Sequence, residues 1–245
     1  MVSKNQIKLI TSLQQKKFRQ KSQLFIAEGV KVIQELLQSN FVLEHLYVSE
    51  GIFLEIPSEK RTIVTENDLK KITCLSSPNN CLALFQIPTQ KNQEISGLTI
   101  VLDDIRDPGN MGTIIRLCDW YGVNNIICSD QTVDIYNPKV VQATMGSIAR
   151  VNVYYENLNT FLPTLDLPIY GTFMDGKNVY KEILPKNAIL VLGNEANGIS
   201  TEIEKLTTNK IAIPKFGTVQ KAESLNVAMA TAIFLSEFKR SSIEK

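Results

Sequence analysis

"VLDDIRDPGNMGTIIRLCDWYG", residues 101–122, runs from an apolar strand through a Pro-Gly-Asn loop into an amphipathic helix. Such strand-loop-helix junctions commonly hold phosphate or nucleotide. Further apolar runs follow it: "NIICS", "ARVNVYY", "PIYGTF", "AILVLGN" and "KIAIP", with helical patterns between them. Short buried strands alternating with helices predict a mostly parallel sheet covered on both faces. Ligands of such sheets bind at the carboxyl ends of strands. Chemistry is therefore expected in the loops after "IVLDD", "YGTF", "LVLGN" and "IAIP".

The chain before this sheet has a different character. Residues 5–20 read as a helix, "LFIAEG" as a short strand, and "VKVIQELLQSN" as a helix with Val32, Ile33, Leu36 and Leu37 on one face. "LEHLYVSE", "RTIVTE" and "CLALFQI" read as strands, with a short helix near Asn67 to Cys74. This predicts a small α/β unit over residues 1–90. The polar stretch "PTQKNQEISG", residues 88–97, suits a linker. A second domain is expected over 97–245.

Composition narrows the function. At 245 residues and 44% hydrophobic content, the chain can build a real core. It has neither a run of about 18 apolar residues nor an apolar stretch behind its first lysines, so a cytoplasmic protein is expected. The four cysteines, Cys74, Cys81, Cys118 and Cys128, form no CxxC pair, and His45 is the single histidine. Metal binding is disfavoured, and any Ser-His-Asp device would depend on His45 alone, which sits in a strand-like alternation and reads as structural. Net charge is only +1, yet Lys4, Lys8, Lys16, Lys17, Arg19 and Lys21 all precede the first acid, Glu28. That is a weak nucleic-acid cue on an otherwise balanced chain.

The loops fail the familiar nucleotide devices. The first has Gly109 and Gly112 but no Lys-Ser/Thr to neutralise phosphate and hold magnesium. "GNEANG", residues 193–198, has the dinucleotide spacing with Glu195 at the middle glycine, where a carboxylate would repel pyrophosphate. A nucleoside bound through backbone groups still fits. The third loop, "IPKFGTVQKAESLNVAMATAIFLSEF", enters a helix apolar nearly all round, which implies burial in the core or against another subunit. Ser224 and Asn226 stand at its start, where helix capping is the plain structural alternative.

In this order, "DPGNMGTIIR", "LVLGNEANGIS" and "IPKFGTVQKAESLNVAMA" resemble the three motifs of the SpoU (TrmH-like) family of RNA ribose 2′-O-methyltransferases, in the SPOUT superfamily. "FIAEGVKVIQELL" looks like the small α/β, L30e-like substrate-binding domain of many members. The resemblance implies a SPOUT α/β domain with a mostly parallel sheet and a C-terminal trefoil knot, which binds S-adenosylmethionine. It also implies a homodimer, which would account for the apolar last helix. Family cofactor contacts carry over to Gly193, Ile213 and Leu225, with Thr172 as a further candidate. The catalytic residues carry over as Asn110, Arg116, Glu195, Ser224 and Asn226. The chain departs from many members in its longer "KFGTVQKAE" segment, residues 215–223, before Ser-Leu-Asn.

Methyl transfer to a ribose hydroxyl is an in-line displacement, so alignment of the reacting atoms is the main requirement. The resemblance makes Arg116 the residue that assists loss of the hydroxyl proton. A guanidinium resists deprotonation, so a charged Arg116 gripping phosphate and stabilising developing alkoxide fits it better. Its structural alternative is an ion pair with Asp103, Asp104 or Asp119. Ribosomal RNA is favoured over transfer RNA, since a separate N-terminal domain is commoner among ribosomal RNA enzymes. A non-catalytic RNA-binding protein and a nucleotide-dependent dehydrogenase are the other classes, separable by binding of S-adenosylmethionine, of neither cofactor, or of NAD.

Overall fold

The computed structural model describes residues 2–49, 51–89, 95–217 and 224–240. Their contacts divide the chain into two compact units, Met1–Lys91 with Asp134–Ala149, and Asn92–Val133 with Arg150–Lys245. Residues 134–149, assigned by the linker reading to the second domain, thus group with the first unit.

The first unit holds helices α1 (Lys4–Ser12) and α2 (Lys16–Ser22), strand β1 (Leu24–Glu28), α3 (Val30–Leu37), β2 (Leu43–Val48), β3 (Arg61–Ile63), α4 (Glu66–Ile72) and β4 (Cys81–Gln86). Its sheet has the order β1-β4-β2-β3, with β2 and β3 parallel and the other pairs antiparallel. The α3 face foreseen from spacing is present, with Val32, Ile33 and Leu36 buried. His45 lies in β2, its Nε2 2.8 Å from Thr62 Oγ1.

The helix expected over 5–20 is instead broken into two at residues 13–15. No Gly or Pro marks that break. It is held by Arg19, only 2% exposed, whose guanidinium donates to the carbonyls of Leu13 and Gln14 and pairs with Asp134. Glu28, at the end of β1, is buried too, accepting from Thr73 Oγ1 at 2.6 Å and from the Cys74 amide at 2.7 Å. Burial raises its pKa above the ordinary carboxylate value, and these bonds offset only part of the rise.

The second unit contains β5 (Leu98–Asp103), α5 (Pro108–Trp120), β6 (Asn125–Cys128), then, after α6 (Pro138–Thr144) of the first unit, β7 (Asn152–Tyr155), α7 (Leu158–Phe161), β8 (Ile169–Asn178), β9 (Ala188–Gly193), α8 (Thr201–Glu204), β10 (Asn209–Ala212) and α9 (Val227–Arg240). All six apolar runs are strands, in the order β10-β8-β9-β5-β6-β7, every pair parallel. All six residues of β5 are buried, as a sheet covered on both faces requires. From β5 the chain moves one way to β6 and β7, then returns to build β8, β9 and β10 on the other side. The order therefore reverses between β5 and β9, and ligands of open α/β sheets bind at the carboxyl ends flanking such a point. No helix of the described residues is long and apolar enough to cross a membrane.

Candidate active site

Strand β5 ends at Asp103, a buried carboxylate whose Oδ2 accepts the Ser200 amide at 2.7 Å. Asp104 then adopts a left-handed conformation, φ 61°. Three bonds hold this turn: its amide donates to Ser129 Oγ at 2.9 Å, its carbonyl accepts Asn194 Nδ2 at 2.7 Å, and its carboxylate accepts Arg106 Nε at 2.8 Å. Asn and Asp tolerate this region better than other residues with a Cβ. Asp107 then caps α5, accepting the Asn110 amide at 2.8 Å, and Pro108 fills the first helical turn. Both are favoured there, one supplying an acceptor to an orphan amide and the other needing none.

The cap sets Asn110 between two other loops. Its Nδ2 donates to Glu195 Oε1 at 2.7 Å, and its Oδ1 accepts Asn226 Nδ2 at 2.9 Å. An ionised carboxylate only accepts, which fixes the Asn110 amide and, in turn, the Asn226 amide. Asn226 Oδ1 is then free to cap α9, accepting the Ala228 and Met229 amides at 2.9 and 3.3 Å. The capping role and the site role of Asn226 are thus one arrangement. Three predicted residues, one from each loop, form a single hydrogen-bonded chain.

The second loop is closed on itself. Asn194 and Gly198 exchange backbone bonds of 3.0 and 2.8 Å, and Asn194 Oδ1 accepts the Ala196 and Asn197 amides. A Cβ on Gly193 would lie 2.2 Å from Gly198 C and Ile199 N, so only glycine fits. From sequence Asp104 was named only as an ion-pair partner for Arg116, and Asn194 was not singled out. The doubled Asp at 103–104 and the Asn inside "GNEANG" are the signals that carried them.

Arg116 lies six residues beyond Asn110 on the exposed side of α5, with Thr113 and Trp120. Among the described residues its side chain has no hydrogen bond or ion pair. The three carboxylates that could have neutralised it are engaged elsewhere, Asp103 with Ser200, Asp104 with Arg106, and Asp119 with Arg150 at 2.8 Å. The structural alternative for Arg116 is therefore absent. Ser224 and Leu225 are exposed just before α9, and Ile213 is half-buried after β10. Thr172 is half-buried in β8 and its hydroxyl already donates to the Val191 carbonyl at 3.0 Å. Most of the longer loop before Ser224 lies outside the described residues. A polar cavity of about 270 Å³ sits at the opposite ends of the strands, lined by Gly97, Gly122, Asn124, Lys186, Asn187 and Lys239 among others, far along the sheet from this chain of side chains.

Residues 97–236, which contain all three loops, match the family model described as the SpoU rRNA Methylase family. The chain belongs to the SpoU rRNA methylase family. Residues 4–83 of this SpoU chain match a second model, the MRM3-like substrate binding domain. A Bacillus subtilis protein named 23S rRNA (guanosine(2553)-2'-O)-methyltransferase RlmP is 30% identical over 95% of this chain and 96% of its own length. Among solved structures, a putative TrmH-family RNA methyltransferase from Porphyromonas gingivalis superposes with a TM-score of 0.89 at 37% identity, covering 98% of this chain and 99% of that one. An AdoMet-bound rRNA methyltransferase from Sinorhizobium meliloti superposes with a TM-score of 0.86 at 27% identity, covering 98% of this chain and 97% of that one. The SpoU match thus embraces both the strand-end loops and the sheet that presents them.

Proposed function

We propose that this SpoU chain transfers the methyl group of S-adenosylmethionine to a ribose 2′-hydroxyl of large-subunit ribosomal RNA, acting in the cytoplasm with its ribosomal substrate. The observation that carries this reading is the Glu195–Asn110–Asn226 chain, which joins the three motif loops, together with an exposed arginine six residues further along α5 that has no partner among the described residues. The B. subtilis relative, named for the same reaction on 23S rRNA, supports the substrate class.

The residues present fit the cofactor. The loop after β9 closes so tightly that a side chain on Gly193 would run into the backbone of Gly198 and Ile199, and the loop therefore presents main-chain groups at the end of the strand. Gly193, Ile213 and Leu225 would hold the group largely through main-chain atoms, with Thr172 contributing backbone only, since its hydroxyl is taken. When bound, the cofactor supplies an electrophilic methyl group. The chain's own part is alignment, which lowers such barriers by about 7–11 kcal/mol in favourable cases. Arg116 keeps its proton, grips an RNA phosphate in a bidentate fork and stabilises the alkoxide as the hydroxyl proton leaves to phosphate or water. Asn110 holds the loops in register. Glu195 acts through Asn110, away from phosphate, while Ser224 and Asn226 position the ribose end of the substrate.

We read residues 1–90 as the substrate-binding domain and 97–245 as the catalytic domain, with the C-terminal segment threaded into the family's trefoil knot. The bond from Asn226 to Asn110 is the tie expected of such threading. We also read the chain as a homodimer. One side of α9 fills the core through Val227, Phe234, Leu235 and Phe238, while Met229 on α9 and Trp120 on α5 stay 63% and 85% exposed on two helices that pack together. Large apolar side chains left out on adjoining helices suit a second copy.

The test is methyl incorporation from labelled S-adenosylmethionine into unmodified ribosomal RNA and transfer RNA separately, followed by nuclease digestion. Label on ribose in the ribosomal pool is the expected result. Label only in transfer RNA would move the substrate, and a chain that binds no S-adenosylmethionine would be a binding protein.

A further inference from the structure

The helices of the first unit obey helix electrostatics unequally. In α4, Glu66 and Asp68 occupy the first turn and Lys70 and Lys71 the last, with Lys70 paired to Glu66 at 2.7 Å and Lys71 to Asp68 at 3.2 Å. Each charge there suits the helix macrodipole. In α1 and at the start of α2 the pattern is inverted, while Arg19 and Lys21 in the last turn of α2 follow it. Lys4 opens α1, Lys16 and Lys17 open α2, and neither helix carries an acid. Cations in a first turn are disfavoured by the dipole, and Lys4 with Lys8 and Lys17 with Lys21 are like-charged i,i+4 pairs, which repel. Apart from Lys21, helix electrostatics gains nothing from this placement.

The lysines are nonetheless displayed rather than buried. Lys4, Lys8, Lys17 and Lys21 are all exposed. Arg19, counted with them from sequence, is not part of the surface, since it is buried against Asp134. It serves the display instead, because its bonds to the Leu13 and Gln14 carbonyls fix the turn that joins the two helices. No carboxylate occurs in residues 1–27, so nothing in the segment itself neutralises the row. A group of cations that includes disfavoured first-turn positions, is fixed by a buried guanidinium and has no acid in its own segment marks a functional surface.

We infer that the α1–α2 surface, through Lys4, Lys8, Lys17 and Lys21, is a docking strip for the phosphate backbone of the substrate RNA. This rests on the reading of the chain as an RNA methyltransferase. Lysines are point charges on flexible stems, which suits sequence-independent backbone contact rather than base readout. The strip supplies affinity and orientation, and base selection lies elsewhere.

The experiment measures binding of a large-subunit ribosomal RNA transcript by the full chain across about 50–200 mM salt. It compares the wild type with a variant carrying Lys4→Gln, Lys8→Gln, Lys17→Gln and Lys21→Gln, and with a Lys70→Gln, Lys71→Gln control. S-adenosylmethionine affinity and melting temperature are read for all three. The slope of log affinity against log salt is expected to fall by about 3 for the fourfold variant, at about 0.7–0.9 per phosphate contact. Its melting temperature should hold or rise and its cofactor affinity stay the same. The control should leave the slope unchanged. A wild-type slope in the fourfold variant, or an equal loss per charge in the control, would overturn the strip while leaving the methyltransferase reading intact. Unchanged RNA binding with activity lost only on assembled ribosomal particles would transfer the strip to a protein partner and overturn it likewise. A wild type that binds S-adenosylmethionine but no RNA would defeat the functional reading itself.

Discussion

The two ends of the parallel sheet are built from the same strands and do opposite things. At the carboxyl end, Asp103, Asp104, Asn110, Asn194, Glu195 and Asn226 join the loops after β5 and β9 to the start of α9, Asn110, Glu195 and Asn226 through their side chains and Asp103 and Asn194 through backbone groups of the facing loop. At the amino end, the 270 Å³ cavity has polar walls but few such cross-links, the bond from Lys239 Nζ to the Gly122 carbonyl at 3.3 Å being one. A cavity alone does not mark a site. What distinguishes a site is convergence of side chains from segments distant in sequence, here Asn110, Glu195 and Asn226, 85 and 116 residues apart along the chain.

The sharpest way to test this contrast is at Arg116. Arg116→Ala should lower single-turnover methyl transfer by about 10²–10³-fold, comparable to loss of one transition-state donor, with S-adenosylmethionine affinity unchanged. Full activity in that variant would remove the carboxyl end's claim to the chemistry. Next in size is Gly193→Ala, which forces a Cβ onto the backbone of Gly198 and Ile199. Overpacking of this kind costs about 1–3 kcal/mol or more, and calorimetry should show a lower melting temperature together with weakened cofactor binding. The smallest effect belongs to the other end. Lys239→Met removes the long bond to Gly122 and should change stability by no more than about 0.5 kcal/mol, with methyl transfer unaltered. A large activity loss there would erase the distinction between the ends.

Much of the second unit was legible because buried parallel strands write themselves as uninterrupted apolar runs, and all six do so here. The site was legible for a different reason. Asn110, Glu195 and Asn226 each stand at or near a junction between a strand and the helix that follows it, inside the three stretches the resemblance singled out. Arg116 could be named but its freedom could not, since that depends on Arg106 and Arg150 occupying Asp104 and Asp119. The left-handed turn at Asp104 was hidden because its three supports come from Ser129, Asn194 and Arg106, most of them far along the chain. The break between α1 and α2 was hidden by the same kind of distance. Periodicity is a local signal, and a guanidinium that finds its carboxylate 115 residues away leaves no local trace.

That distance also has a consequence for the order in which the protein is made. Arg19 emerges from the ribosome long before Asp134, and at about 5–20 residues per second the wait is on the order of ten seconds. Until then the guanidinium has no carboxylate to bury against, and Phe25 lacks the Tyr136 ring that later sits 4.8 Å from it. Removing one partner of a buried pair costs about 3–5 kcal/mol. The first unit is therefore first in sequence but not first to be finished: its closing piece is delivered only after β5, α5 and β6 have been synthesised, so a nascent chain paused at the linker holds an unclosed fold.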